Sequence, residues 1–183
     1  MATIPRLLTY EEWLKLPSVE DGTDEVVKGE LQVMPPTRYP HAEIIQLLIA
    51  CLAGQIDPTR VGLLGSNLGL MIRPEPLTCR SPDLILFWRE QMKVKDGLYW
   101  SAPGLIIEVL SPSETRYRQD GKLADYASIG VPEVWLVSPE AATIEILLLN
   151  NGQFERQAIL ADGSIQPSQF PQVSVPVRNV FAI

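Results

Sequence analysis

Two carboxylates stand where carboxylates are unusual. Asp83 follows Pro82 and opens the apolar run Leu84-Ile85-Leu86-Phe87, and Glu108 interrupts the run Leu105-Ile106-Ile107 and Val109-Leu110. Glu is almost never fully buried unless it is paired. An isolated ionised carboxylate in apolar surroundings is costly enough to force protonation or recruit a partner. Two such groups converging at strand ends would suit a hard divalent cation, which takes oxygen ligands. The simpler alternative pairs Glu108 with a Lys or Arg and leaves Asp83 to cap a turn after Pro82. The strands alone leave both readings open.

The elements that must position these groups run from Ser81 to Pro139. Asp83 to Trp88 reads as a strand. Leu105 to Leu110 is a near-continuous apolar strand, the pattern of a central strand covered on both faces, and Ser111-Pro112-Ser113 stops it. Arg116 to Ile129 reads as a helix. Lys122, Tyr126 and Ile129 share one side of it at i, i+4 and i+7, Leu123 and Ala127 form an adjacent stripe, and Gly130 suits the position after its end. A strand from Glu133 to Val137 follows. Strand, helix, strand in that order predicts a βαβ-type crossover.

Around this centre, Thr9-Tyr10-Glu11-Glu12 is a capping box for a short helix closed by Pro17. Glu25 to Met34 reads as strand, turn, strand, with Gly29 in the turn and Glu30 just past it. His41 to Ile56 is the clearest helix, with Ile44, Ile45, Leu48 and Leu52 on one face. His41 at its start reads as a structural or solvent-facing residue. Val61 to Arg73 reads as a hairpin turned at Ser66-Asn67. Ala142 to Leu149 and Gln153 to Leu160 flank Asn150-Asn151-Gly152, a hairpin signal. Val173, Val175 and Val177 alternate as a short edge strand. There is no internal repeat or low-complexity linker, so residues 1–183 are expected to form a single domain.

Hydrophobic residues are 46% and charged residues 20% of the 183, an ordinary globular composition. No apolar run approaches the ~20 residues of a membrane helix, and no signal-peptide pattern opens the chain. A cytoplasmic location is therefore expected. Cys51 and Cys79 lack zinc-site spacing, and the single His41 cannot build a histidine-based metal site. The net charge of −7 argues against broad, sequence-independent nucleic-acid binding, which relies on Lys and Arg at phosphates. A local cationic cluster with a metal could still contact phosphate.

The pattern Pro82-Asp83, then Ile107-Glu108-Val109-Leu110-Ser111-Pro112-Ser113, then Lys122, Tyr126 and Gly130-Val131-Pro132-Glu133-Val134-Trp135-Leu136-Val137 resembles the Uma2 family. That family was formerly DUF820 and is assigned to the PD-(D/E)xK restriction-endonuclease-like superfamily. The likeness covers nearly the whole chain, from Thr9 through Lys28-Gly29-Glu30-Leu31 and His41 onwards. It implies an α/β, restriction-endonuclease-like fold: a mixed central sheet flanked by helices. It implies a Mg²⁺- or Mn²⁺-dependent endonuclease hydrolysing DNA phosphodiester bonds as a homodimer. Asp83 and Glu108 would be the metal ligands. The lysine expected two residues after Glu108 is replaced by Leu110, and Lys122 on the following helix fits its role at the water or phosphate. Glu30 matches an upstream acidic position and would be a fourth catalytic member. Tyr126 would pack beside Lys122 or hydrogen-bond. Two departures stand out: Ser138 replaces the usual Asp after Trp-Leu-Val, and Arg118 replaces an Asp one helical turn before Lys122. With the acidic charge, they motivate an alternative: a catalytically inactive nuclease fold acting through protein–protein contacts.

Overall fold

The apolar runs that carry Asp83 and Glu108 are neighbouring strands of one sheet in a computed structural model of the protein. The structure describes residues 6–17, 23–34, 36–65, 68–111 and 116–183, with the backbone alone at Tyr117. In chain order, α1 (Tyr10–Trp13) precedes β1 (Thr23–Val27) and β2 (Glu30–Met34), and then comes α2 (His41–Ala53). The middle of the chain holds β3 (Val61–Gly65), β4 (Leu70–Pro74), β5 (Leu77–Arg80), β6 (Leu84–Trp88), β7 (Val94–Lys95) and β8 (Leu98–Tyr99). β9 (Leu105–Val109), α3 (Arg116–Ser128) and β10 (Glu133–Ser138) follow, then β11 (Thr143–Asn150) and β12 (Gln153–Leu160). The chain closes with β13 (Ser164–Ile165), β14 (Val175–Pro176) and α4 (Val177–Val180). The Thr9/Glu12 capping box forms as expected. Gly130, at φ +81°, follows the end of α3, and Asn151 and Gly152, at φ +48° and +80°, turn the β11–β12 hairpin.

The central sheet has the order β12-β11-β10-β9-β6-β3. β9 and β10 are parallel, joined through α3 as the crossover pattern predicts, and their neighbours are antiparallel. Alternation along the strands divides the core. Leu84, Leu86, Leu105 and Ile107 pack with Ile44, Ile45, Leu48 and Leu52 of α2 and with the C-terminal valines. Ile85, Phe87, Ile106, Val134 and Leu136 face the other way, toward Tyr126 of α3 and Leu70 and Ile72 of β4. At roughly 1.5–3 kcal/mol per fully buried aliphatic side chain, these two faces clamp the sheet between its helices. This is the mixed, helix-flanked sheet that the family resemblance implies.

A second sheet, of order β2-β1-β5-β4-β8-β7, was not anticipated. The expected hairpin over Val61 to Arg73 does not form. β3 pairs with β6 in the central sheet, while β4 pairs with β5 across the Glu75-Pro76 turn. A proline in that turn sacrifices no ladder hydrogen bond, so Leu77-Thr78-Cys79-Arg80 becomes a strand. Ser66 and Asn67 lie outside the described residues. Val26, Met71, Leu77 and Cys79 on one face of this sheet enclose a small core with Tyr10. The tail valines are buried as their alternation implies. Val175, however, pairs with Ile165 in a separate two-stranded ladder, and Val177 begins α4 rather than extending an edge strand.

Candidate active site

Antiparallel pairing explains how the two carboxylates meet. The β6–β9 ladder registers Leu84 with Ile107, so one step further places Asp83, at the start of one strand, opposite Glu108, near the end of the other. Asp83 Oδ2 accepts a hydrogen bond from the Val109 backbone N–H at 2.7 Å. Alternation against Ile107 sends the Glu108 side chain to the α3 face of the sheet, where its parallel neighbour is Leu136.

On α3, one helical turn separates Lys122 from Tyr126, and both reach Glu108. Lys122 Nζ donates to Glu108 Oε2 at 2.8 Å, and the Tyr126 hydroxyl donates to Oε1 at 2.5 Å. Glu108 is 4% exposed. Burial pushes its carboxyl up to about 7, with the Lys122 ammonium pulling down and the Asp83 charge adding to the rise. Burial, and then the negative charge of Glu108, hold the Tyr126 phenol well above its ordinary value. Tyr126 is thus a hydrogen-bond donor fixed in its neutral form.

The second sheet delivers Glu25 and Arg80, and α3 itself delivers Asp125, three groups that the sequence does not single out. Val26 registers with Cys79 on the outer face, so Glu25 and Arg80 turn together toward α3. Arg80 Nη1 donates to Glu25 Oε2 at 3.0 Å, and its Nε donates to Asp125 Oδ2 at 2.9 Å. Glu25 Oε1 accepts from the Ser81 N–H at 3.1 Å and lies 4.0 Å from Lys122 Nζ. Asp125 also accepts from Arg73 at 3.0 Å. The available signals were the arginine ending the apolar Leu77–Cys79 stretch and an aspartate three residues after Lys122 on the same helix face.

Of the residues singled out in the sequence, Asp83, Glu108, Lys122 and Tyr126 come together. Glu30 is exposed at the start of β2, and the carboxylate that this hairpin brings to Lys122 is Glu25. Of the two readings of His41, the solvent-facing one fails: its side chain is 19% exposed, with Nε2 3.3 Å from Asp83 Oδ2. Burial lowers its pKa, but the hydrogen bond and charge of Asp83 prevail, leaving it above the ordinary imidazole value. Arg118 Nη2 lies 2.7 Å from Met34 Sδ, while Lys122 Nζ lies 2.8 Å from Glu108 and 4.0 Å from Glu25. Ser138 Oγ accepts from the Ala141 N–H at 3.3 Å, which makes it a turn residue.

Among the described residues, no group of three or more His, Cys, Asp or Glu side chains is gathered as a metal site. The donor chemistry nonetheless fits Mg²⁺, which keeps several waters and binds through one or two carboxylates together with substrate phosphates. Asp83 and Glu108 are such a pair, and a cation beside them would favour the anion that burial disfavours at Glu108.

A mixed sheet with helices on both faces is the plan of a restriction-endonuclease-like fold, and here the lysine beside the two carboxylates stands on the crossover helix instead of on the glutamate's strand. The model of the Uma2 family, described as "Putative restriction endonuclease", matches residues 10–178. The chain belongs to the Uma2 family. A crystal structure from Anabaena variabilis ATCC 29413, described as "a putative nuclease belonging to DUF820", is similar with a TM-score of 0.78. The match covers 96% of this chain and 98% of that one at 20% identity; it is a likeness of fold. No curated protein matches the chain.

Proposed function

We propose that this chain is a divalent-metal-dependent endonuclease that hydrolyses DNA phosphodiester bonds, with Asp83 and Glu108 as the metal ligands. The observation that carries this reading is the 2.8 Å contact of Lys122 Nζ with Glu108 Oε2, at the point where Asp83 faces the same glutamate. The family's description as restriction endonucleases supports the substrate class.

Bound Mg²⁺ or Mn²⁺ would supply Lewis acidity at phosphate and a more acidic water. The chain's own residues do the rest. The Val109 N–H and His41 hold Asp83 in place. Tyr126 fixes one oxygen of Glu108. Lys122 keeps a positive charge beside the ligands, where charge builds on the phosphate or where a water must be oriented. A homodimer would present one such site to each strand of a duplex.

Calorimetric titration of Mg²⁺ and Mn²⁺ into the wild type and the Asp83→Ala/Glu108→Ala double variant, followed by cleavage of supercoiled plasmid, tests the reading. Binding and cleavage in the wild type, both lost in the variant, are expected. A second reading, a nuclease fold acting through protein contacts, draws on a specific observation: Lys122 and Tyr126 already satisfy both Glu108 oxygens without metal. It requires a wild type that neither takes up Mn²⁺ nor cuts plasmid under any divalent cation.

A further inference from the structure

A lysine placed on a helix is positioned less directly than one on the strand that carries the carboxylates, because the whole helix must be held. Lys122 has a long, flexible stem, so its pose needs an external constraint. The second sheet supplies one. Arg80 is 5% exposed, and its guanidinium bridges two carboxylates that bracket Lys122 from different elements. Through Nε and Nη2, at 2.9 and 2.8 Å, it grips Asp125, which lies three residues from Lys122 on α3. Through Nη1, at 3.0 Å, it grips Glu25, whose other oxygen lies 4.0 Å from Lys122 Nζ. That other oxygen also takes the Ser81 N–H, two residues before Asp83.

We propose that Arg80 is a positioning residue: by bridging Asp125 of α3 and Glu25 of β1, it sets Lys122 against Glu108. The guanidinium of Arg80 is engaged by Glu25 and Asp125; it acts through helix α3 and through Glu25. The planar guanidinium can hold both carboxylates at once, which a lysine ammonium does less well. Its consequence for turnover rests on the nuclease reading, but the placement of Lys122 does not.

The test compares wild type, Arg80→Lys and Asp125→Asn. The second variant leaves Arg80 paired with Glu25 and keeps the side-chain shape, so it guards against loss of fold in the first. Two readouts are taken on protein shown to be folded by near-ultraviolet circular dichroism. One is the rate of Lys122 acylation by acetic anhydride, measured by peptide mass spectrometry against the exposed Lys93 and Lys95. The other is plasmid cleavage under saturating Mn²⁺, together with Mn²⁺ affinity. Lys122 acylation is expected to rise several-fold relative to the reference lysines, with kcat down tenfold or more and KM and Mn²⁺ affinity within twofold of wild type. Wild-type acylation in both folded variants would overturn the proposal, whatever the cleavage result. Faster acylation with a wild type that never cleaves DNA would keep Arg80 as the positioner of Lys122 and remove the nuclease reading instead.

Discussion

Lys122 and Glu108 are 14 residues apart in sequence and 2.8 Å apart in space, joined by the crossover from β9 through α3. This pair closes a chain of charges that crosses both sheets. It runs from His41 and Asp83 to Glu108, Lys122 and Glu25, and on to Arg80, Asp125 and Arg73. Buried charges persist when they are paired and hydrogen-bonded, and each member here is held by at least one other. The arrangement therefore separates two properties: what the site needs in order to act and what the fold needs in order to stand.

Glu108→Gln distinguishes them. The glutamine has the same shape and removes a carboxylate whose ionised form burial disfavours. Its amide oxygen can accept from Lys122, and the Tyr126 hydroxyl can turn to accept from the amide nitrogen. Stability is expected to change by less than about 1 kcal/mol, in line with a hydrogen bond exchanged rather than lost, while Mn²⁺ binding disappears. Thermal melts with calorimetry check this. Retained Mn²⁺ affinity would remove Glu108 from the ligand set.

Arg80→Met has the opposite profile. It leaves Glu25 and Asp125, whose side chains are 2% and 10% exposed, without the guanidinium between them. Removing one partner of a buried pair costs about 3–5 kcal/mol, so the urea midpoint is expected to fall steeply with an unchanged slope. A loss under about 1 kcal/mol, the scale of an exposed pair, would mean that water reaches this network.

Glu25→Gln and Glu30→Gln decide which acidic residue of the β1–β2 hairpin serves the site. Glu25 is 1% exposed and ends against Arg80 and the Ser81 N–H. Its charge is expected to matter for plasmid cleavage, with at least a tenfold fall in kcat. Glu30, exposed on β2, is expected to leave cleavage within twofold and stability within about 0.5 kcal/mol, as for ordinary surface substitutions. The reverse pattern would restore the sequence expectation for Glu30.

That contrast shows where the sequence was readable. Asp83 and Glu108 were legible because each is one charged residue in an apolar strand. Lys122 and Tyr126 were singled out through the family resemblance; helical spacing alone only puts them on one side, where a lysine is ordinarily a surface residue. Glu25, Arg80 and Asp125 were not, because their burial depends on the second sheet. That sheet rests on pairing β4 with β5 instead of folding β4 back on β3, a choice between non-local partners that local pattern does not specify. Arg80 at the end of a four-residue strand looks like a rim residue until β1 lies beside it. For His41 the sequence left a structural and a solvent-facing reading open for a similar reason: its helix position is visible, but the strand end that meets it is not.

Alkaline pH tests the outer core of that second sheet. Burial, followed by the hydrogen bond from the Tyr10 hydroxyl to Asp96 at 2.7 Å, raises the Tyr10 phenol to about 12. The unfolded chain ionises near pH 10. Below that pH both states keep the proton, and the contribution to stability is fully present. Between about 10 and 12 the unfolded state loses the proton while the folded state holds it, so stability falls as pH rises. Above the folded value the contribution is gone. Urea unfolding at pH 9 and pH 11 is expected to show a larger drop for wild type than for Tyr10→Phe, which has no phenol to titrate. The difference between the two proteins cancels the lysines and the other tyrosines they share. Equal drops would mean that Tyr10 ionises as freely in the folded chain as in the unfolded one, and that α1 does not seal the face formed by Val26, Met71, Leu77 and Cys79.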